Sequence, residues 1–156
     1  MTYGLITLEE QAIRGTIKIL LKRIKQEYDL DNVPLFNIEY LNNKRYAIIN
    51  ITELKISYAI IFRTQRFHAF GTIFKEYGES GEGETLNFKE WNERIQFCEA
   101  IIYCYQNLHS LEYRIIYINQ LKNMLKLYKA YIYNNKSDGK EEIIFSCRYL
   151  QELYVC

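Results

Sequence analysis

The sequence predicts an α+β fold: an antiparallel β-sheet, built from a four-strand meander plus further strands, packed with about three α-helices. Three observations predict it. Apolar residues recur three and four apart after residues 8, 87 and 119, the period of a helix face. Between 35 and 75, four runs rich in Ile, Tyr and Phe follow one another across links of a few residues. Links that short join antiparallel neighbours. Lastly, Ser137-Asp138-Gly139-Lys140 sets an Asp-Gly turn signal between two more strand-like runs.

The elements follow in order. Thr7-Leu8-Glu9-Glu10 reads as a capping box. Ile13, Ile17, Leu20, Ile24 and Tyr28 then form one apolar helix face, with Lys18, Lys22, Arg23 and Lys25 mostly on the other. Pro34 disfavours helix in the residue before it. The strand-like runs are 35–41, 44–52, 56–63 and 67–75, with Asn42-Asn43 as a turn between the first two. The segment 77–85 holds three of the seven glycines and three acids, which predicts a mobile loop. Asn87-Phe88-Lys89-Glu90 opens a second helix, in which Phe88, Trp91, Ile95, Cys98, Ile102 and Tyr105 keep helical spacing as far as His109. A fifth strand over 112–118 follows, then a helix capped by Asn119, then a closing hairpin of 131–133 with 142–149. The last residues, 150–156, read as a helical turn or a tail.

Composition narrows the class. The 156 residues suit one domain over 1–156 with a sizeable core. An apolar fraction of 49% against 25% charged residues argues against disorder. There are 22 isoleucines but two valines, with 12 asparagines, the mark of AT-rich codons. No apolar run reaches the length of a membrane span, and the N-terminus carries acids where a signal peptide needs bases. An intracellular protein without a membrane partner is expected. Net charge is +1, unevenly spread. Residues 76–110 carry seven acids and two bases, whereas 1–75 carry eleven bases and seven acids. The cysteines, Cys98, Cys104, Cys147 and Cys156, lack CxxC spacing. That argues against zinc and for free thiols in a reducing compartment; a bridge from Cys147 to Cys98 or Cys104 belongs only to a hyperthermophile's cytoplasm.

One pattern suggests chemistry. The apolar run 48–51 leads into Glu53-Leu54-Lys55. In an extended chain Glu53 and Lys55 project to one side. A carboxylate can hold Mg²⁺ and a nearby ammonium can orient water. Glu39, near the end of the preceding strand, is the candidate second acid. In the acidic segment, Glu84 lies nearest a helix start and is the alternative acid beside Glu79 and Glu82. His68 and His109 read as structural. Lys44, Arg45, Arg63 and Arg66 stand near strand ends, where they can contact phosphates.

With these residues the chain resembles the PD-(D/E)xK nuclease superfamily over about residues 8–118. That superfamily's core runs α-β-β-β-α-β and carries two acids and the lysine on its central hairpin. No Pro-Asp precedes the E-x-K, and Glu39 stands in its place. The resemblance implies a metal-dependent nuclease acting on DNA, with Glu39 and Glu53 as Mg²⁺ ligands, and Glu53, Lys55 and Glu84 as catalytic groups. In composition, length and strand order the chain is also similar to orphan nucleases of archaeal filamentous viruses. The competing expectation is a non-catalytic homodimer that binds nucleic acid or protein through a Tyr-rich surface and a sheet edge.

Overall fold

The computed structural model of the chain describes residues 8–41, 46–63, 73–74, 79–80, 83–109, 111–134, 137 and 139–153. Helix α1, Leu8–Glu27, buries Ala12, Ile13, Ile17, Leu20, Leu21 and Ile24. That is the face its 3.6-residue period dictates. Thr16, buried in mid-helix, donates its hydroxyl to Ala12 O at 2.7 Å, so the polar atom is not stranded. The helix exits through Asp29 at φ 50°, a left-handed residue that Asp tolerates better than most. Thr7 of the expected capping box lies outside the described residues.

Strands β1 (Phe36–Tyr40), β2 (Tyr46–Ile51) and β3 (Ile56–Phe62) form the expected antiparallel meander. The expected fourth strand of that meander is different. Most of 67–75 lies outside the described residues, and its described part, β4 (Ile73–Phe74), pairs with β5 (Glu79–Ser80) in a sheet of their own. Strand β6 (Gly83–Asn87) follows. The described parts of the glycine- and acid-rich segment are thus strand, where a loop was expected.

Helix α2 spans only Phe88–Glu93 and ends in a 3₁₀ turn at Ile95–Phe97. Asn87 caps it, its Oδ1 accepting from Glu90 N at 3.0 Å. The chain then runs into β7 (Ala100–Gln106), where the helical period had predicted more helix. The physical reason lies in the run Ala100 to Tyr105. It is continuously apolar, and a central strand covered on both faces reads this way. Ile95, Cys98, Ile102 and Tyr105 kept helical spacing only by coincidence. β7 pairs parallel with β3 and is the parallel member of an otherwise antiparallel main sheet.

Strand β8 (Leu111–Tyr117), helix α3 (Ile118–Lys126), and the hairpin β9 (Ala130–Asn134) and β10 (Glu141–Ser146) match the expected order. A short strand, β11 (Gln151–Glu152), pairs with β8 where a turn or tail was expected. The six-stranded main sheet runs β1-β2-β3-β7-β8-β11, and a three-stranded sheet runs β6-β10-β9. The α+β class, with three α-helices among the described residues and mostly antiparallel strands, is the observed one.

Strand alternation divides the core in two. One face of the main sheet, with Ile49, Ile51, Ile60, Ile102 and Ile115, is covered by α1. The other face, with Ile48, Ile61, Ile101, Tyr103 and Ile116, packs on Leu86, Ile143 and Phe145 of the small sheet and on Trp91, Leu121 and Met124 of α2 and α3. Each fully buried Ile contributes about 1.5–3 kcal/mol of transfer energy. Cys98, Cys104 and Cys147 form no disulfide among the described residues; Cys156 lies outside the described residues. No described helix is long and apolar enough to cross a membrane.

Candidate functional site

The site forms where the main sheet meets the small one. Arg63 follows β3, and its backbone N donates to Cys104 O at 2.7 Å, carrying the β3–β7 pairing one residue further. Alternation places the Arg63 side chain on the face of Ile61 and Tyr103, toward the small sheet. There its guanidinium pairs with the Glu84 carboxylate. Both side chains are about nine-tenths buried, at 10% and 9% exposure. Glu84 sits on the edge strand β6, opposite Phe145 of β10. Its Oε1 also accepts from Cys147 Sγ at 3.5 Å.

Tyr103, on β7, is 1% exposed and packs its ring against Phe145 at 6.3 Å between centroids. Its hydroxyl is buried and has no hydrogen-bond partner among the described residues. Burial raises the phenol well above its ordinary pKa, and the charge of Glu84 raises it further.

A cleft of about 520 Å³ opens along this junction. Arg63, Glu84 and Tyr103 line it, with Glu90 and Asn87 at the α2 start, and Lys140 and Glu142 at the entry to β10. Glu142 and Asn87 are directly opposite each other across β10 and β6, on the face of the small sheet away from Glu84. The cleft therefore wraps the β6 edge. Three carboxylates and two cations line one concavity, a lining suited to a phosphate-bearing ligand and its counter-ion.

The residues expected from sequence fall in several places. Glu84 lies in the cleft wall, and so does Arg63. Glu53 and Lys55 are exposed on the β2–β3 turn, Thr52 to Lys55. Lys55 has φ 55°, and Glu53 Oε1 accepts from Leu35 N at 3.3 Å. The cleft takes Tyr46 at the far end of the same hairpin, roughly 17 Å away at about 3.3 Å per residue. Glu39 lies on β1 and its carboxylate forms a two-point ion pair with Arg94. Glu39, Glu53 and Lys55 are not brought together. Lys44, Arg45, Arg66, His68 and Glu82 lie outside the described residues. His109 is exposed after β7, its N donating to Asn107 Oδ1 at 2.8 Å. Among the described residues, no three His, Cys, Asp or Glu side chains converge as a metal cage.

Tyr103, Glu90, Lys140 and Glu142 are not among the site residues expected from sequence. Tyr103 was hidden in the run read as helix. Lys140 closes the Asp-Gly turn and Glu142 follows it on β10, and only the β6–β10 pairing carries them to the cleft.

No family model matches the chain. No curated protein matches it either. Among solved structures, that of a nuclease from a fusselovirus matches with a TM-score of 0.50, over 97% of this chain and 91% of that one, at 15% identity. At that identity the likeness is one of architecture: the chain has a nuclease-like fold.

Proposed function

We propose that the chain is a small viral nuclease that cleaves DNA with the help of Mg²⁺, working in the cleft around Glu84. The observation that carries the reading is the Glu84 carboxylate, held by Arg63 in the wall of a cleft that two further acids share. The fold shared with a viral nuclease supports it.

The donor chemistry fits a hard divalent cation. Mg²⁺ keeps several waters and takes one or two carboxylates together with substrate phosphates. A cage of three protein acids is not required for that, and Glu84, Glu90 and Glu142 all line the cleft. When bound, the ion would polarise the scissile phosphate and activate the attacking water. The chain's own groups do the rest. Arg63 holds the Glu84 carboxylate in one place. Lys140 brings positive charge to the mouth, where an incoming phosphate arrives. Asn87 fixes the first turn of α2 and with it the Glu90 position.

The test is digestion of linear duplex DNA, single-stranded DNA and RNA, each with Mg²⁺ or with a chelator. DNA cleavage is expected with Mg²⁺ alone. Glu84→Gln, which keeps the shape of the side chain, should lower the rate by about 100-fold or more. Cleavage that survives both the chelator and Glu84→Gln would sink the assignment.

A further inference from the structure

The two edges of the main sheet are unlike. At one edge lies β11, two polar and exposed residues, Gln151 and Glu152. Such a short edge offers little for another strand to pair with. At the other edge lies β1, five residues long, with the sequence FNIEY. It carries neither Lys nor Pro, the residues that commonly guard an edge strand. Phe36, Ile38 and Tyr40 are 39%, 37% and 43% exposed. Their partners on β2 are Ile51, Ile49 and Ala47, all on the α1 side of the sheet, so the three form one stripe. Leu35, just before the strand, is 72% exposed. An apolar stripe along an open strand edge marks an interaction surface.

We propose that β1 pairs antiparallel with β1 of a second copy of this chain, about a two-fold axis at Ile38. The strand is complementary to itself in that register. Ile38 meets Ile38. Phe36 meets Tyr40 of the second copy, and Tyr40 meets its Phe36, so two aromatic pairs flank an aliphatic one. On the opposite face Asn37 meets Glu39 of the second copy. Asn37 Oδ1 already accepts from Asn50 Nδ2 at 2.8 Å, and its NH₂ group is a donor for that carboxylate. Like charges do not oppose each other, because Glu39 is the strand's sole charged residue and is paired with Arg94.

Pairing here satisfies the outward backbone groups of β1 and joins two six-stranded sheets into one. A two-fold axis between antiparallel strands of one sheet stands perpendicular to it, so both clefts open on the same side. Because β11 blunts the remaining edges, the assembly closes as a dimer and does not grow into a fibre. The inference is independent of whether the cleft hydrolyses DNA.

Analytical ultracentrifugation of the purified protein tests it, together with two variants. The wild type should sediment as a dimer at micromolar concentration, and Ile38→Arg as a folded monomer with an unchanged circular dichroism spectrum. Ile38→Cys should oxidise to a covalent dimer, because facing residues of an antiparallel pair stand about 4.5–5.5 Å apart between Cα atoms, within disulfide reach. Peptide mapping should place that bridge at position 38 in both copies. A wild type that stays monomeric overturns the proposal, as does a dimer that Ile38→Arg leaves intact. If Ile38→Arg does not fold, the mapped bridge decides: its absence at position 38 overturns the pairing.

Discussion

Arg63 and Glu84 form an ion pair that is about nine-tenths out of water and joins the two sheets. Arg63 comes from the end of β3 and Glu84 from β6, the edge strand of the small sheet. A buried pair is costly to break from one side, because the remaining charge is left without its partner. Arg63→Met should therefore lower unfolding free energy by about 3–5 kcal/mol, read from urea melts. The double variant Arg63→Met, Glu84→Leu should lose clearly less than the two single losses added together. Additive losses would show that the two side chains do not hold one another.

Tyr103 sets up a different expectation. Its hydroxyl is buried without a hydrogen-bond partner among the described residues, and an unsatisfied buried polar group costs about 1–3 kcal/mol. Tyr103→Phe removes the hydroxyl and keeps the ring against Phe145. The variant should be as stable as the wild type or more so by about 1 kcal/mol. A loss above that size would mean that the hydroxyl has a partner in solution. Ultraviolet titration gives a second reading: in the wild type Tyr58 and Tyr103 should both resist ionisation well past the ordinary range, and Tyr103→Phe should remove one tyrosine from that resistant fraction.

Local periodicity made much of this fold legible. The α1 face and the three-strand meander follow from spacings of 3.6 and 2 and from links too short for a crossover. The longest departure was the segment after Cys98. Its apolar residues satisfied a helical spacing, yet Ile101, Ile102 and Tyr103 are consecutive, and a run apolar on both faces is equally the signature of a central strand. Which reading holds depends on what covers the segment, here α1 on one side and the small sheet on the other. The candidate site was legible only in part, for the same kind of reason. Glu84 stood out as the acid nearest a helix start, and Arg63 as a cation near a strand end. Their pairing spans 21 residues and that of Glu39 with Arg94 spans 55. No local pattern encodes such contacts; the parallel docking of β7 beside β3 and the folding of β6 over it create them.

The Glu39–Arg94 pair predicts a mild acid sensitivity. The hydrogen-bonded Arg94 guanidinium holds the Glu39 carboxyl below its ordinary range. A carboxyl whose pKa is lower in the folded state stabilises that state above the unfolded value and loses the contribution as pH falls through the folded value. Both side chains are about two-fifths exposed, so the contribution is that of a surface pair, about 0.2–1 kcal/mol. Arg94→Ala should cost about that much at pH 7 and nearly nothing at pH 2, by urea midpoints at the two pH values. An equal cost at both would assign the loss to packing of the Arg94 stem.

The cysteines give the complementary alkaline test. Burial pushes the Cys98 thiol up to about 11 and the Cys104 thiol up to about 12. The thiolate is the reactive form, so neither should react with a maleimide at pH 8 in the folded protein, and both should react in urea. Mass mapping of the labelled peptides separates them from Cys147, which is only half-buried. The same shifts carry a stability consequence. Each thiol is harder to ionise folded than unfolded, so its contribution is complete below the ordinary thiol value near 9 and is lost as pH rises above it. Unfolding free energy should therefore fall from about pH 9 upward, and Cys104→Ala should flatten part of that slope while costing core packing at every pH. Rapid labelling of Cys104 in the folded protein at pH 8 would contradict its placement in β7 beneath α1.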